Sequence, residues 1–155
     1  EVLVQGELVM CPNDGYKTSG TYLSGGGGVL STVYDYFRFS QMLLNGGELD
    51  DTRVLSRKTV ELMTATNHSG IYDEDFPHDA SWKFGLGFAI QQNRENNVDA
   101  GSAGAYEWAG LYSTRFSIDP KEEKITIFMS QTTPFGHHFE LWDKLLVQSA
   151  SAIID

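Results

Sequence analysis

"AYEWAGLYSTRFSIDPKEEKITIFMSQ", residues 105–131, decides the fold class of this chain. Tyr106, Trp108, Gly110, Tyr112, Thr114, Phe116 and Ile118 stand at every second position. A period of two is the mark of a β-strand with one buried face. "DPKEEK" (119–124) then turns the chain, with Pro after Asp, and Ile125, Ile127 and Met129 start the next strand. Gly110 breaks the run of bulky side chains. A glycine inside a strand marks a bulge or a place where a ligand lies against the backbone; alternatively it leaves room for a neighbouring aromatic ring.

Upstream, Trp82, Phe84, Leu86, Phe88 and Ile90 alternate with Lys83, Gly85, Gly87, Ala89 and Gln91, which reads as one more strand. The three strands form an antiparallel meander. Before them the period is helical. Ser31 is the expected N-cap of a first helix, with Val33, Phe37, Ser40 and Leu44 on one stripe, Tyr36 and Leu43 beside it, and Gly46–Gly47 ending it. Ser56 starts a second helix, where Leu55 and Val60 can form a hydrophobic staple and Leu62 and Met63 continue the apolar side. A last helix carries Trp142, Leu145, Leu146 and Ile153 on one face. Residues 1–22, broken by Gly6, Pro12, Gly15 and Gly20, read as loop with one short strand; residues 67–81 and 93–103 read as polar connections. The order is helix, helix, three strands, helix: an α+β chain with no internal repeat.

The 155 residues fit one domain, and 41% hydrophobic residues with three Trp, seven Tyr and nine Phe allow a packed core. A net charge of -10 argues against nucleic acid or an anionic membrane as partner, since both call for a basic surface. The longest apolar runs fall far short of a membrane span. Cys11 is the only cysteine, so no internal disulfide forms, and "CPNDG" around it reads as a turn. The opening "EVLVQGELVM" has neither an initiator Met nor a basic leader and reads as the middle of a longer or processed product.

The run Gly25–Gly28 raises the question of a phosphate loop. Val29 and Leu30 stand where such a loop needs Lys and Ser, and "YKTSGTYLS" is a poor preceding strand, so the run reads as a tight passage beside another backbone. His68, Asp73, Glu74, Asp75, His78 and Asp79 crowd together, but the spacing fits neither an EF-hand nor a zinc helix, and Pro77 interrupts it; the segment reads as a solvated acidic loop. His137 and His138 are adjacent and point apart, and they read as loop residues. No metal or cofactor is expected. For serine chemistry there is no Gly-x-Ser-x-Gly elbow, no Ser-x-x-Lys and no Tyr-x-Asn in these residues.

In series, these pieces resemble the C-terminal half of the serine β-lactamase and penicillin-binding-protein-like hydrolases, in the branch of class C β-lactamases and related esterases and D-peptidases. "YLSGGGGVLSTVYDYFRFSQMLLNGGELDDTRVLSRKTVELMTATNH" (22–68) is similar to the family's glycine-rich helix entry and its following helix, "GLGFAI" (85–90) to the next strand, and "EWAGLYST" (107–114) to the third active-site motif. "SIDPKEEKITIFMSQ" (117–131) is similar to the closing hairpin, and the final helix completes the series. The resemblance covers roughly residues 20–155 and implies a β-lactamase/transpeptidase-like fold, with 1–81 giving part of a helical subdomain and loops, and 82–155 the sheet and C-terminal helix. It places the glycine run near the active-site cleft.

The family's third motif is Lys or His, a small residue, then Gly; here it would be Trp108, Ala109, Gly110, with Tyr112 nearby as a further substrate contact. A lysine would offer a cation to a carboxylate, whereas tryptophan offers an apolar wall with one N–H. The resemblance therefore implies an ester or amide with an apolar acyl part rather than an efficient β-lactamase. It also implies the Leu111 backbone N–H as an oxyanion-hole donor. The nucleophile and its lysine and tyrosine would come from an N-terminal half, which would also cover an exposed sheet edge; a homo-oligomer would cover that edge as well. The contrasting expectation is a β-lactamase-like binding domain without catalysis. The compartment stays open, since family members occur in the periplasm, outside the cell and in the cytoplasm.

Overall fold

A computed structural model describes residues 2–4, 7–9, 25–27, 29–65, 82–92, 101–132 and 139–153. Strands β1 (Val2–Val4) and β2 (Glu7–Val9) pair with each other, so the first residues hold two short strands where one was expected. Helix α1 (Val33–Leu44) begins one residue later than the sequence suggests. Thr32, not Ser31, is the cap: its backbone is extended and its Oγ1 accepts from the Asp35 N–H at 3.1 Å. Ser31 instead donates from Oγ to the Thr32 carbonyl. The buried side of α1 is Ser40, Met42 and Leu43, with Tyr36 and Leu44 partly buried against the core. Val33 is exposed and Phe37 is 40% exposed, so the N-terminal end of the anticipated stripe lies outside the core.

Gly46 and Gly47 end α1 as expected. Both have positive φ, and their N–H groups donate to the Leu43 and Met42 carbonyls. A side chain on Gly47 would strike the Leu55 carbonyl. The turn that follows holds the small hairpin β3 (Glu48–Leu49) and β4 (Thr52–Arg53). Helix α2 (Arg57–Thr64) has the predicted cap: Ser56 Oγ accepts from the Thr59 N–H at 3.0 Å. Val60 is buried in the core and Leu55 packs against the same core.

The meander has five strands where the alternation reads as three. They are β5 (Trp82–Phe84), β6 (Ala89–Gln91), β7 (Tyr106–Ala109), β8 (Arg115–Asp119) and β9 (Lys124–Phe128), in that spatial order and all antiparallel. The stretch 82–91 doubles back at Leu86–Gly87, where the Gly85 N–H donates to the Phe88 carbonyl at 2.8 Å and Gly87 has φ 92. The stretch 106–118 doubles back between Gly110 and Thr114. The Asp119–Lys124 turn is as expected, and its stabilising group is the buried Asp119 carboxylate. It accepts from the N–H groups of Ser102, Lys121 and Glu122.

One sheet face carries Ile90, Tyr106, Phe116 and Ile118, which form the core with Met42 and Leu43 of α1 and Val60 of α2. This core joins residues on both sides of position 81. The opposite face is polar, with Gln91, Glu107, Arg115, Ser117 and Asp119, and meets helix α3 (Phe139–Ser151) through Trp142. Trp142 is fully buried and Leu145 and Leu146 are half-buried, whereas Ile153 lies beyond the helix and is exposed. Among the described residues no helix is long and apolar enough to cross a membrane. Cys11, the acidic loop with His68 and His78, and His137–His138 lie outside the described residues.

Candidate active site

The β6–β7 ladder contains only two pairs, Ala89 with Glu107 and Ile90 with Tyr106. It ends one residue before Trp108. On its other side β7 stays paired to β8, through Trp108–Phe116 and Ala109–Arg115. From Trp108 onward the strand therefore runs past the end of its β6 ladder, the arrangement in which a ligand can lie along a strand edge.

The next residues make a three-residue hairpin loop. The Gly110 N–H donates to the Thr114 carbonyl at 2.8 Å and the Ser113 N–H to the Gly110 carbonyl at 3.0 Å. Ser113 has φ 62, the left-handed conformation such a loop requires at its last position. A Cβ at Gly110 would press on Thr114 Oγ1, so any larger residue there would require the threonine side chain to move. Of the three sequence readings of this glycine, the neighbouring aromatic is replaced by a neighbouring hydroxyl.

Trp108, Ala109 and Gly110 line an apolar groove of ≈ 130 Å³. Its other walls are Tyr36 of α1, Thr114, Arg115 and Phe116 of the β8 side, and Met129 just after β9. Trp108 is 41% exposed and meets Phe84 edge-to-face, with ring centroids 4.9 Å apart. Tyr36 packs on Phe116 at 5.0 Å and on Phe39 at 5.6 Å, and burial raises its hydroxyl pKa above the ordinary tyrosine value, so it stays protonated. Leu111 and Tyr112 stand at the hairpin tip, outside the groove lining. The Leu111 side chain is 68% exposed, and among the described residues its N–H meets no acceptor.

The sequence reading thus reaches one wall of the groove. Tyr36, Thr114, Phe116 and Met129 were missed as groove residues, because each reads as ordinary core or strand until the sheet order sets them side by side. The glycine run is different again. Gly25 and Gly27 are exposed, and among the described residues nothing lies within 4 Å of where their Cβ atoms would stand. Among the described residues no three His, Cys, Asp or Glu side chains are grouped to hold a metal ion.

Relatives in sequence and structure agree with this architecture. Two Mycobacterium tuberculosis proteins, MT1414 and Rv1367c, are each 32% identical to the chain over 129 residues, covering 77% of it and 31% of their own length. The chain thus spans about a third of those relatives. The fold is similar to that of Aspergillus terreus simvastatin synthase (LovD), with TM-score 0.66, 23% identity, and coverage of 84% of this chain and 35% of that one. It is equally similar to EstCE1, a hydrolase with promiscuous acyltransferase activity, with TM-score 0.67, 20% identity, and coverage of 84% and 33%. A sequence model of the Beta-lactamase family matches residues 4–150, nearly the whole chain, and on that match the chain belongs to the Beta-lactamase family.

Proposed function

We propose that this chain is the C-terminal portion of a serine hydrolase that cleaves esters or amides with an apolar acyl group through an acyl-enzyme. The observation that carries this reading is the Leu111 N–H. Among the described residues it is a backbone donor without an acceptor, at the tip of the hairpin that follows β7, and Trp108 at the end of that strand walls an apolar groove. Such a donor is what a carbonyl oxygen requires as it gains charge. The nucleophilic serine and the lysine and tyrosine that manage its proton come from outside these residues, which contain no Ser-x-x-Lys or Tyr-x-Asn. In the reaction the serine oxygen bonds to the substrate carbonyl carbon and the carbonyl oxygen becomes an oxyanion facing Leu111. The alcohol or amine leaves with a proton, and water then releases the acyl group. Trp108 and Tyr36 receive the acyl chain, Ala109 and Gly110 flank it, and Tyr112 at the hairpin tip meets substrate only outside the groove. EstCE1, whose fold is similar, is a hydrolase with promiscuous acyltransferase activity, which suits this reading.

The same reading assigns a partner to surfaces left open. Val29, Leu30, Val33 and Tyr34 are exposed apolar side chains, and β5 and β9 are the outer strands of the described sheet. The serine-bearing half of the hydrolase domain would cover part of them; residues 1–81 would then complete a helical subdomain and 82–155 the sheet. Small esters, amides or peptides are the substrates in this reading, and nucleic acid is not.

Fluorophosphonate labelling read by intact mass tests the proposal. The 155-residue chain is expected to stay unlabelled and the full-length protein to take one adduct. A stoichiometric adduct on the short chain would place the nucleophile inside it and overturn this reading of the site. The acyl wall has its own test. Trp108→Ala in the full-length enzyme is expected to lower kcat/KM about tenfold for a hexanoate ester and less than about twofold for an acetate ester, since only the longer chain loses apolar contact. Equal losses on both esters would remove Trp108 from the acyl pocket.

A further inference from the structure

The hairpin after β7 is bound to more than its own strands. The Tyr112 carbonyl accepts from Ser130 Oγ at 2.9 Å and from the Thr132 N–H at 3.2 Å. Ser113 Oγ donates to the Thr132 carbonyl at 3.0 Å. The β8–β9 pairing places Arg115 opposite Phe128, and these contacts extend that register past Met129, so the segment after β9 runs beside the hairpin tip.

A trans peptide holds its C=O and its N–H in one plane, pointing opposite ways. That fact orders the contacts into a chain. The Ser130 hydroxyl binds the Tyr112 carbonyl, and the N–H on the far side of that same peptide belongs to Ser113. The Ser113 N–H binds the Gly110 carbonyl at 3.0 Å, and the N–H on the far side of that peptide belongs to Leu111. The Leu111 N–H is thus turned away from the hairpin and, among the described residues, has no acceptor. Linked dipoles polarise one another, by roughly 10–30% per bond. A donor at the end of such a row binds a developing negative charge more strongly than an isolated amide.

We propose that Ser130 is a positioning residue for the oxyanion donor: its hydroxyl, relayed through the Tyr112–Ser113 and Gly110–Leu111 peptides, orients and strengthens the Leu111 N–H. This rests on the reading of Leu111 given above. Ser113 supports the same relay. It keeps a left-handed backbone although it is not glycine, it is only 4% exposed, and its hydroxyl is tied to Thr132. Glycine would relieve the conformation and lose that tie.

The test uses the full-length enzyme and p-nitrophenyl esters. Ser130→Ala is expected to lower kcat about fivefold with KM unchanged within about twofold, because the interaction lost matters mainly in the transition state. Ser130→Thr, which keeps a hydroxyl, is expected to restore at least half of the wild-type kcat. A melting curve within a few degrees of wild type would separate this from general loosening. An independent reading comes from ¹⁵N-leucine labelling, with the Leu111 amide assigned by Leu111→Ile. Ser130→Ala is expected to move that amide proton upfield, and Ser130→Thr to return it. A Leu111 amide resonance indifferent to Ser130→Ala would overturn the relay whether or not the enzyme is active. An unlabelled full-length protein in the fluorophosphonate experiment would overturn the hydrolase reading and leave the amide shift to decide the relay. An active enzyme with unchanged kcat in Ser130→Ala would overturn the relay and leave the hydrolase reading in place.

Discussion

Leu111→Pro in the full-length protein is expected, on the proposed reading of Leu111 as an oxyanion donor, to lower kcat for an ester by about 10²–10³-fold while the protein stays folded, the loss typical of removing one such donor. Proline is the one genetic substitution that deletes a backbone N–H, and position 111 tolerates it for three reasons. The bond from the Ser113 N–H to the Gly110 carbonyl makes Leu111 the second residue of a four-residue turn, where proline is favoured. The residue before a proline is pushed towards extended backbone, and Gly110 directly follows β7 with its N–H bound across the hairpin to the Thr114 carbonyl. The Leu111 side chain is mostly exposed, so little packing is lost. Leu111→Ala, which keeps the N–H, is the control and is expected to stay within about threefold of wild type, the small range of an exposed side chain. Circular dichroism melting establishes the fold of both variants. A folded Leu111→Pro enzyme with more than a tenth of the wild-type kcat would mean that another group holds the oxyanion, and residues 108–111 would then be a wall and nothing more.

The sequence made some parts of this arrangement legible and concealed others for definite physical reasons. The turn at Asp119–Lys124 was readable because Asp-Pro is local chemistry, and the Ser56 cap because a hydroxyl before an amphipathic run is local too. The hairpin at Gly110–Thr114 was hidden by its own register. Tyr106 pairs with Ile118 and Trp108 with Phe116, so even positions face even positions across the turn. The core face therefore keeps its parity through the reversal, and two strands read as one. Nothing like Asn-Gly marks the bend; Ser113 takes the left-handed position instead. At Ser31 and Thr32 two capping residues are adjacent, and only the bond to Asp35 separates them. The reading of Trp108–Gly110 as a third motif rests on likeness to a known family, whereas Ser130 and the groove residues on α1 and β8 depend on which strands become neighbours. Local pattern carries no record of that.

The polar face beneath α3 supplies the second large effect. Glu107 and Arg115 lie diagonally across the β7–β8 ladder, with Glu107 opposite Ser117 and Arg115 opposite Ala109. Their ion pair spans 2.6 Å with only 11% and 15% of the side chains exposed, and the guanidinium lies 5.1 Å from the ring centre of the buried Trp142. Taking two charges out of water costs several kcal/mol each, and their attraction offsets that only while both are present. Glu107→Ala is therefore expected to destabilise the protein by about 3 kcal/mol, far more than loss of an exposed pair such as Lys144–Glu140 would. The double variant Glu107→Leu with Arg115→Met replaces the pair by apolar groups of similar size. It is expected to recover most of that loss, because both charges of the pair leave the buried face together. Urea unfolding of the two single variants and the double variant measures the coupling. A double variant as unstable as the sum of the singles would show that the residues act independently. Because Glu107 precedes Trp108 and Arg115 follows Thr114, the pair also closes the base of the hairpin that presents Leu111. Its loss should reach kcat as well as stability, and a destabilised Glu107→Ala enzyme with wild-type kcat below its melting range would show that the hairpin holds its shape without the pair.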